Sequence, residues 1–268
     1  MHDWQTLDTD ALAAAYENMA HIPEGHAYPD RWAAEAAAFR AAHPRAEIDL
    51  PYGGHPRERL DLFHPEGTPR GLVVFIHGGY WMRFAKDHWS HLAAGALAHG
   101  HAVAMPSYPL APDATIPAIT DAARRAVDAA ADSVPGPVRL TGHSAGGHLA
   151  ARLLMDDAAP ACAPRIATCT PIAPVADLRP LARIPLNDTL RLDEAPAAAE
   201  SPALARPRPG IRIAVHVGAA ERPGFLWQAD ALGAAWDAPV RRAEGRHHFD
   251  VIDALRDPAS RLVADIMA

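Results

Sequence analysis

The stretch Val138-Arg139-Leu140-Thr141-Gly142-His143-Ser144-Ala145-Gly146 decides how this chain is read. Val138 to Thr141 reads as a strand, and Ala145 to Met155 as an apolar helix. Between them stands G-x-S-x-G. A serine in that place sits on a sharp turn from strand to helix, and glycine flanks it because a side chain at either position would collide with neighbouring backbone. The Ser144 hydroxyl is then presented beside the positive end of a helix, where a nucleophile belongs.

Upstream, Leu72 to Ile76 is continuously apolar, as expected of a strand covered on both faces of a parallel sheet. His77-Gly78-Gly79-Tyr80-Trp81 follows it directly. Two glycines let the backbone bend until several N–H groups point at one spot, which a developing oxyanion needs. Gly79 and Tyr80 are the candidate donors from this loop, and the amide of Ala145 is the third. His77 is expected to brace the loop through a hydrogen bond.

Further apolar runs occur at His101 to Met105, Ile166 to Thr170 and Ile211 to Val217, with a short strand at Pro239 to Ala243. Strands alternating with helical stretches predict right-handed crossovers and a mostly parallel sheet with helices on both faces. Ligands bind at the carboxyl ends of such strands. Nearer the start, Glu47 to Leu50 and Arg59 to Phe63 alternate polar and apolar around Gly53-Gly54, which predicts an antiparallel pair with one wet face. Residues 1–42 read as two short helices on the mouth or flank of the body. Leu12, Tyr16 and Met19 mark the first, Trp32 and Phe39 the second, and Pro23 and Gly25 interrupt them. Residues 177–209, rich in proline and alanine, read as a lid-like excursion over the working edge. At 268 residues the whole chain, 1–268, is expected to form one domain.

A nucleophilic serine needs a base, and the base needs an orienting acid, in the chain order Ser, Asp or Glu, His. Glu221 lies just past the strand ending at Val217, and His247-His248 just past the strand ending at Ala243. Neighbours in sequence point in different directions, so one of these histidines faces the serine. Asp177 and Asp250 are rival acids, the first placed early and the second close to the histidines. His143 is expected to point away from the hydroxyl, and His88, His91, His99 and His101 to be solvated. No histidine pair has a metal-binding spacing, and no cofactor or metal is expected.

A net charge of −7, without a basic patch, argues against binding nucleic acid. Met1, His2, Asp3 and Trp4 lack the basic, apolar character of a secretion signal, and no apolar run approaches a membrane span. The expectation is a cytoplasmic protein with no membrane partner, homodimerisation being left open. Cys162 and Cys169 are too few for a disulfide framework and read as buried thiols.

These motifs together resemble the α/β-hydrolase fold, and within it the kynurenine formamidase (arylformamidase) group and its bacterial esterase neighbours. His77-Gly78-Gly79-Tyr80-Trp81 is similar to that group's H-G-G-x-W. Tyr108-Pro109-Leu110-Ala111-Pro112, with Asp121, looks like the Y-x-L-A-P segment of hormone-sensitive-lipase-like enzymes, Asp177-Leu178 through Asn187 and Leu192 resembles the excursion after the sixth strand, and His248-Phe249 matches the group's H-F. That match selects His248 over His247. The group commonly has aspartate where Glu221 stands, a departure of one methylene. The resemblance implies a Ser144, His248, Glu221 triad cleaving an N-formyl aryl amide, above all N-formylkynurenine, through an acyl-enzyme. A carboxylesterase for small acyl esters is the alternative, and a hydrolase fold kept as a non-catalytic binder a lesser one. For an aromatic leaving group, Trp81, Tyr80, Phe225 and Trp227 are the candidate apolar wall, and Arg83 the partner for a substrate carboxylate.

Overall fold

The computed structural model describes residues 4–268; Met1, His2 and Asp3, read above as the start without a secretion signal, lie outside it. Among the described residues nine strands form one sheet: β1 (Ala46–Pro51), β2 (Arg59–Phe63), β3 (Leu72–Ile76), β4 (Ala102–Pro106), β5 (Val138–His143), β6 (Ile166–Ile172), β7 (Arg212–Ile213), β8 (Val215–Gly218) and β9 (Val240–Ala243). The order is β1-β2-β4-β3-β5-β6-β8-β9, with β7 pairing beside β6. β1–β2 and β2–β4 are antiparallel, and every other pair is parallel. This is an α/β-hydrolase architecture, a mostly parallel sheet with helices.

The helices are α1 (Thr9–Tyr16), α2 (Tyr28–Ala42), α3 (Ala94–Ala98), α4 (Ile116–Ser133), α5 (Ala145–Arg152), α6 (Asn187–Leu190), α7 (Glu194–Ala199), α8 (Pro223–Trp236) and α9 (Arg261–Met267). α4 shows how sequence sets their placement. Thr115 caps its first turn by accepting from the Ala118 amide, Pro117 fits where no intrahelical donor is needed, and Ile119, Ala122, Ala123, Ala126, Val127 and Ala130 form one buried stripe. Among the described residues no helix is long and apolar enough to cross a membrane.

The chain leaves β3 for β4 on one side and returns to β5 on the other, so the loops after β3 and β5 diverge at a switch point, where open sheets make their crevice. The loops after β6, β8 and β9 reach the same edge.

Several details differ from the sequence reading. Ile211 to Val217 is two short strands, because Ala214 breaks the pairing between β7 and β8. The first helix stops at Tyr16, where Glu17 turns extended, so Met19 stands in a loop. The expected wet face of β2 is closed as well. Asp61 is fully buried, because Lys86, the only lysine and itself 3% exposed, places its Nζ 2.8 Å from Asp61, 2.7 Å from Asp49 and 3.0 Å from Asp87. His91 and His101, expected in solvent, are buried: His91 lies in the short turn that packs beneath α2, and His101 immediately precedes the central strand β4.

Candidate active site

Ser144 joins β5 to α5 with φ 57° and ψ −118°, backbone values a non-glycine residue adopts only when its surroundings enforce them. They do so here. The Ser144 amide donates to the Ile172 carbonyl at 2.8 Å, and its carbonyl accepts from the His148 amide at 3.0 Å, tying the turn to β6 on one side and α5 on the other. A methyl at Gly146 would overlap the Ile76 carbonyl oxygen, and one at Gly78 would come within 3.0 Å of the Ser144 Cβ. The glycines thus let the loop after β3 lie directly against the serine.

That loop holds its shape without glycine alone. Gly79, Tyr80 and Trp81 all have positive φ, and His77 Nδ1 donates to the Gly78 carbonyl at 2.7 Å, the bracing expected of it. Tyr108 stacks on the His77 ring at 4.3 Å and donates its hydroxyl to the His77 carbonyl at 2.8 Å. Among the described residues, the amides of Gly79 and Tyr80 donate to no backbone or side-chain acceptor, and the Ala145 amide opens a helix, where N–H groups lack intrahelical partners.

His248 follows β9 and Glu221 follows β8. His248 Nδ1 lies 2.8 Å from Glu221 Oε2, with both side chains buried. Burial favours the neutral form of each. It pushes the Glu221 carboxyl up and the His248 imidazole down, while their 2.8 Å contact favours a carboxylate that accepts from Nδ1–H, so His248 stays uncharged with Nε2 free to accept a proton. The rival groups are engaged elsewhere. His247 takes the Phe249 amide on Nδ1 and lies 3.2 Å from the Tyr28 hydroxyl through Nε2; Asp250 accepts from the His247 amide, and Asp177 pairs with Arg179.

Ser144 and His248 open into one cavity of about 340 Å³, whose lining includes Gly78, Gly79, Tyr80 and Arg83. Its apolar wall is Trp32, Phe84, Trp89 and Phe249, with Leu186 from the excursion 177–209. His143 also lines it, buried, with no side-chain partner on either ring nitrogen among the described residues and its ring 4.5 Å from that of His248; it does not point away.

Three residues expected in the wall do not line the cavity. Trp81 is fully buried, because the turn at positive φ sends alternate side chains to opposite sides, and its indole meets His148 edge-on at 5.1 Å. Phe225 faces inward on α8 with Gln228, Ala229 and Leu232, and its ring supports the His248 imidazole at 4.0 Å. Trp227 falls off that buried stripe and packs part-buried against the core. Sequence reasoning also missed Tyr16, Glu17, Asn18, Met19 and His26, which form the N-terminal wall. The signal was there in Asn18 and Pro23, poor helix residues that end the first helix before Met19.

Residues 73–201 match the alpha/beta hydrolase fold family. A crystal structure from Silicibacter sp. tm1040, of a protein described as a thioesterase, is 51% identical, covers 96% of this chain and 99% of its own, and superposes with a TM-score of 0.94. Kynurenine formamidase from Danio rerio is 27% identical over 278 residues, spanning 96% of this chain and 94% of that protein. The esterase of the archaeon Pyrobaculum calidifontis, 20% identical with a TM-score of 0.68 over 90% of this chain and 91% of its own, is alike in fold alone. With this fold, and with a full-length relative at half identity, the chain belongs to the α/β-hydrolase family and is a hydrolase of the esterase and amidase type.

Proposed function

We propose that the protein cleaves N-formyl aryl amides, N-formylkynurenine first among them, with Ser144 as nucleophile, His248 as general base and acid, and Glu221 as its orienting partner. The observation that carries the reading is the 2.8 Å contact of Glu221 with His248, which lines one cavity together with Ser144 and Arg83.

The Ser144 hydroxyl gives its proton to His248 Nε2 as Oγ attacks the formyl carbon, and the carbonyl oxygen, now negative, takes hydrogen bonds from the amides of Gly79, Tyr80 and Ala145. Collapse breaks the C–N bond while His248 returns the proton to the departing aryl amine, leaving a formyl ester on Ser144. Water then attacks that ester with the same proton shuttle and releases formate. The aryl group rests on Phe84, Trp89 and Phe249, and Arg83 receives the carboxylate. The Danio formamidase, similar over nearly the whole chain, supports this substrate class. On this reading the protein serves tryptophan catabolism in the cytoplasm.

The relative described as a thioesterase favours a second reading, acyl transfer from small esters or thioesters by the same machinery. Comparing kcat/KM for N-formylkynurenine, an aryl acetate and an acyl thioester decides between them. The formamidase reading expects the first to lead by orders of magnitude, and Arg83→Ala to lower the ratio of formylkynurenine to aryl acetate turnover about tenfold through KM. A wild-type preference for the ester or thioester sinks it.

A further inference from the structure

Among the described residues, two opposite charges at the cavity form no ion pair. Glu17 and Arg83 both line it and are both exposed. Among the described residues, the Glu17 carboxylate accepts only from the Ala20 amide at 3.3 Å, and the Arg83 guanidinium makes no hydrogen bond or ion pair. Beside Glu17, Asn18 is buried and lines the same cavity, and its Oδ1 has no hydrogen-bond partner. A buried amide oxygen without a partner is costly, so the site gains from any ligand donor that reaches it.

We propose that Glu17 and Asn18 form a cation subsite which, opposite Arg83, selects substrates carrying an ammonium group together with a carboxylate. An ammonium has three donors, and the Asn18 oxygen and the Glu17 carboxylate can accept two of them; a guanidinium presents a fork that fits a carboxylate. The subsite is held ready. Glu17 and Asn18 follow α1, which packs on α8, and the preceding Tyr16 is pinned twice: its carbonyl accepts from the Tyr80 hydroxyl and its own hydroxyl accepts from Gln228 Nε2, both at 2.7 Å. The segment therefore sits fixed over the loop whose amides face the reacting oxygen, and little ordering is left for the ligand to bring about. The inference deepens the formamidase reading and rests on it for the bond that is broken.

The test uses the full-length enzyme hydrolysing an aryl acetate, with kynurenine and its des-amino analogue as competing inhibitors. The wild type is expected to bind kynurenine about tenfold more tightly than the analogue, the size of one charge-assisted contact. Glu17→Gln keeps the acceptor for the Ala20 amide and removes the charge, and Asn18→Leu removes the acceptor; each is expected to bring the two inhibition constants close together. Arg83→Gln should weaken both inhibitors alike. Because the readout is a ratio within each enzyme, a variant with impaired turnover still reports. Equal inhibition by the two compounds in the wild type, no inhibition by either, or a preference that survives both variants overturns the proposal. Wild-type turnover of N-formylkynurenine is scored separately. An enzyme that leaves it uncut yet prefers the amine loses the formamidase reading and keeps the subsite, and one that cuts it without that preference does the reverse.

Discussion

The His248 ring meets Glu221 Oε2 at 2.8 Å, while the other carboxylate oxygen, Oε1, is buried without a side-chain partner among the described residues. One short contact therefore fixes the imidazole on its Nδ1 side, and Phe225 fixes it from its face. Glu221→Gln keeps the volume but can offer its NH2 to Nδ1, which would turn Nε2 into a hydrogen donor and disable the base. We expect kcat to drop by roughly 10³–10⁴-fold, against about 10⁶-fold for Ser144→Ala. His247→Gln, in a residue held by Tyr28 and Phe249, is expected to leave kcat within a few-fold. Steady-state kinetics on the four enzymes checks the order; a Glu221→Gln variant as active as wild type would remove Glu221 from the reaction.

The pH dependence follows from burial. His248 must be neutral to accept the Ser144 proton, and burial lowers its proton affinity below the ordinary value of about 6.5 for histidine. The acid limb of kcat/KM then falls below pH 6.5 instead of at it, and activity should hold from neutrality to about pH 6. A pH–rate profile whose acid limb is centred at or above 6.5 contradicts this account.

Gly146 separates two principles. It lies in α5, where alanine is the better helix former by about 1 kcal/mol, so propensity alone expects Gly146→Ala to stabilise the protein. The added methyl would overlap the Ile76 carbonyl oxygen, which belongs to the central strand β3 and cannot retreat. Overpacking against fixed backbone costs about 1–3 kcal/mol or more, so the packing term wins. Urea unfolding should show a lower midpoint with an unchanged slope; a raised midpoint refutes the close approach.

How much of this was legible in the sequence depends on the range of the interaction. G-x-S-x-G, the His77-Gly78-Gly79 turn and the apolar runs are local, and local sterics dictate what they build, so the strand edge that gathers Ser144, Glu221 and His248 could be read from them. The direction of a side chain after a turn could not. Trp81 looks like a wall residue until three successive positive φ values turn it into the core against His148, about 70 residues away in sequence. Asp61 reads as the wet side of an alternating strand until Lys86 closes over it. The N-terminal wall of Glu17 and Asn18 is set by where α1 docks, a contact with α8 more than 200 residues on. A pattern within ten residues carries no trace of such pairings.

The buried histidines set the last prediction, which concerns stability. His77, His143 and His148 are buried outside the acid–base pair itself, His143 directly beside His248, and burial lowers all three, His77 to about 3, His148 to about 4 and His143 well below its ordinary value. In the unfolded chain each titrates near 6.5, so below that pH the unfolded state binds protons that the folded state refuses. Their contribution to stability is complete above pH 6.5 and is lost as pH falls, at up to about 1.4 kcal/mol per unit for each group. The His248–Glu221 pair adds little to this slope, since burial lowers one and raises the other and the two act in opposite directions. Between pH 7 and pH 5 each of the three histidines should then remove about 2 kcal/mol, a loss that a domain stable by 5–15 kcal/mol feels strongly. Urea midpoints at pH 7, 6 and 5 should descend steeply, and His148→Gln, which removes one titrating ring among several, should make the descent measurably shallower. Midpoints that stay level down to pH 5 would mean that these rings accept protons in the folded protein, and that the sheet edge around the nucleophile is wetter than its packing requires.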